Sequence, residues 1–181
     1  MADHISPGAG FTFRAAQAND VPVILDFIKQ LAAHVRMPER VTATEDILRD
    51  TLFGTPPAAS VIVAECDDEP AGFAVFFPCY STFEGQPGIY LEDLFVHPRW
   101  RSLGLGRQLL AELARLAIAR GGGRLEWSVL ASNEIALRAY RSVGATTVDG
   151  LLTQRLSGDS LRDLASHAPG TTFNSEGPER K

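Results

Sequence analysis

Tyr90-Leu91-Glu92-Asp93-Leu94-Phe95-Val96-His97-Pro98-Arg99-Trp100-Arg101-Ser102-Leu103-Gly104-Leu105-Gly106 is a strand, a sharp turn and the opening of a helix in one stretch. Ile89–Val96 is apolar and β-branched except at Glu92 and Asp93. After Gly106 the period changes: Leu105, Leu109, Leu113 and Leu116 recur at helical spacing. Gly121-Gly122-Gly123 stops that helix, and Arg124–Leu130 reads as a second strand. A strand, a crossover helix and a returning strand in one sheet must be parallel.

Upstream the pattern is antiparallel. Ser60–Glu65 is β-branched and apolar, Asp67-Asp68-Glu69 reads as a hairpin turn, and Ala71–Tyr80 is a long apolar run. Glu84–Gly88 makes another turn before Ile89–Val96. Phe11–Ala15 alternates as a short strand does. Asn19-Asp20 caps a helix with Pro22 in its first turn, and Ile24, Phe27, Ile28, Leu31 and Val35 share one face of it; Met37-Pro38 ends it. Thr44 caps a second helix, with Glu45 and Asp46 in its positive first turn and Ile47, Leu48 and Leu52 on its apolar side.

Downstream, Ser132 or Asn133 caps a helix through Val143. Ala145–Leu156 is expected to add one or two final strands, and Ser160–Ala165 a last short helix. The expected fold is α/β: a mixed sheet of six or seven strands with an antiparallel first part, a parallel central pair and helices on both faces. The expected organisation is a loose lead-in over 1–10, one domain over 11–166 and a mobile tail over 167–181.

The chain has 181 residues, 45% hydrophobic and 22% charged, with a net charge of −5. That is the profile of one ordinary globular domain. No long Lys/Arg run is present, which argues against nucleic acid as a partner and for a cationic one. Cys66 and Cys79 are too few for a disulfide framework and have no metal-ligand spacing, so no metal is expected. No basic start with an apolar run opens the chain, and the apolar stretches fall short of the ~18 residues a membrane span needs. A cytoplasmic protein with no membrane partner is expected.

Gly104 and Gly106 let a ligand approach the backbone closely, and the free N–H groups of a helix start form an anion site suited to a pyrophosphate. Arg99, Arg101 and Arg107 add positive charge. Two glycines alone fit a structural turn equally well. A dinucleotide fingerprint would need a third glycine near the chain start, and a nucleotide P-loop would need Gly-Lys-Ser/Thr; both are missing. An Arg-x-x-Gly-x-Gly turn remains.

On that turn and the strand before it, the chain resembles the GNAT (GCN5-related N-acetyltransferase) superfamily, and within it the spermidine/spermine and thialysine N-acetyltransferase branch. Gly72-Phe73-Ala74, Ser81-Thr82-Phe83-Glu84-Gly85, Ala139-Tyr140 before Gly144-Ala145, and Arg155-Leu156 before Gly158 extend the resemblance over roughly residues 11 to 165. It implies a GNAT-type fold and transfer of acetyl from acetyl-CoA directly to the primary amine of a small molecule, a polyamine, thialysine or a related diamine or amino acid. It also implies a homodimer. A protein N-terminal or lysine acetyltransferase, and a non-catalytic acetyl-CoA sensor, are the competing functions.

The resemblance gives residues their expected roles. Leu94, Phe95 and Val96 hold the coenzyme arm through their backbone, Arg101, Ser102, Leu103, Gly104, Leu105, Gly106 and Arg107 hold its pyrophosphate, and Asn133 touches it. A strand buried on both faces should not carry unpaired charge, so one of Glu92 and Asp93 is expected to pair with an arginine such as Arg99 or Arg124. Adjacent strand residues point to opposite faces. Glu92 is expected to bind the amine and take its proton, with Asp93, Glu126 and Trp127 lining the acceptor cleft; Trp127 suits a core role as well. By spacing alone Tyr140 is a core tyrosine. The resemblance makes it the acid that protonates the departing thiolate.

The chain departs from the branch at the acceptor side. Val35 stands where the branch carries an acidic residue, Ala131-Ser132-Asn133 where it carries a Trp-Asn pair, and Leu151 near its late tryptophan. His34 is either an exposed helix histidine or part of the acceptor site.

Overall fold

A computed structural model describes residues 10–170; the expected lead-in and tail fall largely outside the described residues, at 1–9 and 171–181. Five strands form one sheet in chain order: β1 (Phe11–Ala15), β2 (Ser60–Cys66), β3 (Glu69–Ser81), β4 (Gln86–Val96) and β5 (Arg124–Trp127). The first three pairings are antiparallel and β4–β5 is parallel. The antiparallel start and the parallel pair are as expected, and the strand count is lower.

Local chemistry explains the connections. Asp67 and Asp68 both adopt positive φ, 52° and 62°, as the tight β2–β3 hairpin requires. Helix α1 (Val21–His34) carries Pro22 in its first turn. Asp20 precedes it, but its carboxylate accepts from Arg14 and from the Gln17 backbone instead of capping α1. Helix α2 (Glu45–Phe53) is capped by Thr44, whose hydroxyl accepts from the Ile47 N–H at 3.3 Å. The crossover helix α3 (Leu105–Ala119) joins β4 to β5, and α4 (Glu134–Ser142) is capped by Asn133 at 3.1 Å from the Ala136 N–H.

Each sheet face has its own core. Leu105, Leu109 and Leu113 of α3 pack on Ile62, Ala74, Phe76, Ile89 and Leu91. Ile24 and Phe27 of α1 and Leu48 of α2 pack on Val61, Phe73, Val75 and Phe95 on the other face. Phe27 meets the Phe73 and Phe95 rings at 5.6 and 5.4 Å. The sheet is thus clamped between helices, with β4 held inside it between β3 and β5.

The chain divides into two compact units, ending at Ala145 and beginning at Thr146. In the second unit, residues 146–157 form no strand, against the one or two expected from the apolar pattern of Ala145–Leu156. Leu151 and Leu152 are 76% and 85% exposed. Apolar composition makes a strand only where a neighbouring backbone completes the hydrogen bonds, and no described strand pairs here. Helix α5 (Gly158–Ser166) follows, as expected in outline.

Candidate active site

A β-bulge in β4 builds the site. Val75 of β3 faces Asp93, while the next residue, Phe76, faces Leu91, leaving Glu92 as the extra residue. The bulge flips the alternation of the strand. Leu91 belongs to the α3-side core. Asp93 sits across from Val75 of the α1-side core, in phase with Phe95. Strict alternation would have sent Glu92 and Asp93 to opposite sides. The cavity reaches both faces of this stretch: every residue from Leu91 to Val96 lines it, Glu92 and Asp93 among them.

That cavity opens where the two parallel strands part. Their pairing ends at Leu91 with Trp127. Beyond it, Asp93–Val96 pairs with β3 on one side only, and Ser128–Leu130 is no longer strand. The gap widens into a cavity of about 690 Å³. Its walls are the free side of β4, the turn before α3, the inner face of α4, and the end of α1 with Leu31, His34, Val35 and Met37.

The turn is built for close approach. Gly104, at the N-cap of α3, has φ 86°, and Ser102 has φ 64°, a region glycine enters without the penalty other residues meet. No side chain caps α3, so its first N–H groups stay open to a ligand. A Cβ at Gly106 would meet Val96 and Leu94 side chains at 3.7 and 3.9 Å, ordinary contact. Packing therefore does not demand glycine there; space for an incoming group does. Arg101 ties the turn to β4, donating from Nε to the Val96 carbonyl at 3.0 Å. Arg101 and Arg107 line the cavity. Arg99 does not: it pairs with Glu69 and stacks on Trp100 at 4.7 Å.

Tyr140 rests against Trp127, ring centroids 4.9 Å apart at 61°. Both line the cavity, and Tyr140 also touches the α3-side core. Burial pushes the Tyr140 phenol above its ordinary range, so the group stays protonated at neutral pH. Burial, and then repulsion from Glu92, push Asp93 up to about 6. Among the described residues no ion pair engages Glu92 or Asp93. The expected arginine partners are taken, Arg99 by Glu69 and Arg124 by Glu126 at 3.0 Å.

Most of the residues expected at the site meet in this cavity: Glu92 to Val96, Arg101, Ser102, Gly104 to Arg107, Trp127, Asn133 and Tyr140. Two do not. Leu103 packs against the α3-side core. Glu126 does not line the cavity, and its carboxylate pairs with Arg124. Val35 and His34 reach the cavity, and Ala131 does not line it. Leu31 and Met37 were not expected there. Leu31 lies on the apolar stripe of α1, and nothing in a stripe marks where packing ends and a ligand wall begins. Cys66 is buried and Cys79 half-buried, and neither faces the cavity.

Comparison with known proteins places this geometry. The model of the Acetyltransferase (GNAT) family matches residues 25–145. Thialysine N-epsilon-acetyltransferase of Bos taurus is 32% identical over 163 residues, 84% of this chain and 95% of that protein. L-ornithine N5-acetyltransferase NATA1 of Arabidopsis thaliana is 30% identical over 196 residues, 83% of this chain and 86% of that protein. Among solved structures, an integron cassette protein from the mobile metagenome of V. cholerae superposes with a TM-score of 0.73 at 25% identity, covering 87% of this chain and 99% of that one. The chain belongs to the GNAT acetyltransferase family, as an enzyme of the acyltransferase class.

Proposed function

We propose that the protein transfers acetyl from acetyl-CoA directly to the primary amine of a small molecule. The observation that carries this reading is one cavity lined together by the two carboxylates of the β4 bulge, Tyr140 and the glycine turn. The residues fit the coenzyme. The uncapped N–H groups of α3, with Arg101 and Arg107, suit its pyrophosphate. The unpaired side of Glu92–Val96 suits the amide groups of its arm, as an added strand would. Bound there, the coenzyme supplies an activated acetyl thioester.

Glu92 and Asp93 attract the acceptor as an ammonium. Glu92, on the exposed side of the bulge, takes the proton directly or through water, and Asp93 steadies the nitrogen. The free amine then attacks the thioester carbon. One backbone N–H of Leu94, Phe95 or Val96 donates to the carbonyl oxygen as charge develops on it. As the C–N bond forms the C–S bond breaks; Tyr140 gives its proton to the departing sulfur, and the proton the nitrogen sheds as it becomes an amide returns to the phenolate through water. Atoms balance without an acyl-enzyme, and neither cysteine takes part.

The protein works as a homodimer in the cytoplasm in this reading. The exposed Val148, Leu151, Leu152, Leu161 and Leu164 of the second unit support a partner surface. Two free thiols suit a reducing compartment.

Tyr140→Phe tests the reaction. Loss of the phenolic proton should lower kcat by about 10²-fold and leave the acetyl-CoA dissociation constant within about twofold. An unchanged kcat, or equal losses in turnover and affinity, would remove Tyr140 from the chemistry.

A further inference from the structure

We propose that the acceptor is a primary monoamine with an apolar chain, alkyl or aryl, and no second cationic group. The inference rests on the acetyl-transfer reading above and narrows its acceptor.

The charges lining the cavity are few and placed at one end each. Arg101 and Arg107 belong to the turn, where the coenzyme's phosphates are held. The acids are Glu92 and Asp93, consecutive on the bulge, and the cavity wall holds no third acid among the described residues. Two carboxylates close enough to repel each other are met best by one shared cation. They make a single ammonium site.

What lies beyond that site is apolar. Asp93 projects from the sheet on the α1 side, in phase with Phe95, whose ring packs on Phe27 at 5.4 Å. Leu31 follows Phe27 by one turn of α1 and Val35 follows Leu31 by another, so both continue the same stripe. Leu31, Val35 and Met37 are half-buried and line the cavity. His34 is the one polar side chain that this end of the chain adds. It carries no negative charge to meet a cation. A second ammonium on the acceptor would lose its water against this wall and find no counter-charge. A methylene chain or an aromatic ring would gain from the same wall by leaving water.

The test uses the full chain with acetyl-CoA and matched acceptors. Propylamine, pentylamine, heptylamine and 2-phenylethylamine are compared with 1,3-diaminopropane, 1,5-diaminopentane, thialysine and lysine, reading kcat/KM by thiol release. The expected result is a rise of about fourfold per methylene buried, and a value at least tenfold lower for each diamine than for the monoamine of the same length. Diamines, thialysine or lysine matching or exceeding the monoamines would overturn the inference and leave amine acetylation standing. Release with none of them would overturn the acetyl-transfer reading and this inference with it. Val35→Glu places a carboxylate on the apolar wall and should raise the diamine-to-monoamine ratio of kcat/KM at least tenfold. Met37→Glu, outside α1, repeats the test if the first variant does not fold. An unchanged ratio in the folded variant would overturn the placement of the acceptor chain on this wall.

Discussion

Replacing Asp93 by asparagine removes a charge that the fold holds partly out of water. In the folded protein this carboxyl is raised from 3.8 to about 6, first by burial and then by Glu92. An acid with a raised folded value binds its proton more tightly when folded than when unfolded. Stability is therefore greatest below pH 4 and is lost as pH rises between about 4 and 6. At about 1.4 kcal/mol for each pH unit of displacement, ionised Asp93 costs the native state on the order of 3 kcal/mol at pH 8 and about half that at pH 5. The asparagine side chain escapes that cost but leaves an amide to satisfy, which returns ~1 kcal/mol. The expected net gain for Asp93→Asn is about 2 kcal/mol at pH 8, or roughly 4–8 °C in Tm for a domain of this size. Urea melts of both proteins at pH 5 and pH 8 measure it. The same variant should lose acetyl transfer, because the ammonium site keeps one carboxylate of two. A variant less stable than the parent at pH 8, or a gap that fails to widen from pH 5 to pH 8, would refute the reasoning that Asp93 is held as a strained carboxylate for use.

Gly106→Ala should keep the fold, since a Cβ there meets only side chains at ordinary contact distance; it should weaken acetyl-CoA binding at least tenfold, measured by calorimetry, with a melting temperature no lower than the parent's. The rise of kcat/KM with pH should follow an apparent value near 6 as Asp93 loses its proton, and Glu92→Gln should move that limb to lower pH by removing the repulsion on Asp93. Sedimentation should give twice the chain mass, and charges introduced at Leu151 and Leu152 should halve it.

The strand–helix–strand unit was legible because its two periods differ so sharply: β-branched and apolar up to Val96, then leucines at helical spacing from Leu105. The caps at Thr44 and Asn133 and the paired aspartates of the β2–β3 turn were legible for local reasons too. Each is decided by residues within a few positions. The bulge was not. Glu92 and Asp93 signalled that something breaks an apolar strand, but which side each faces depends on register with Val75 and Phe76, far away in the chain. The same holds for the arginines. Arg99 and Arg124 looked available to the strand carboxylates, yet Glu69, from a distant strand, claims Arg99, and Glu126, on the same face of β5, claims Arg124. In the second unit, Leu151 and Leu152 read as strand because composition reports burial preference, while a strand also needs a partner backbone. Val35 departs from the branch in sequence; its place beside Leu31 and Met37 gives that departure a physical meaning.

The central claim is that the bulge, the glycine turn and Tyr140 act on one acetyl group. Simultaneous measurement of thiol release and product mass, with acetyl-CoA and a primary amine at pH 8, tests it most directly. The account predicts one N-acetylated amine for each thiol released, from the first turnover onward and with no acetyl group retained on the protein. Tight acetyl-CoA binding without amine-dependent thiol release, or an acetylated protein accumulating ahead of product, would contradict it.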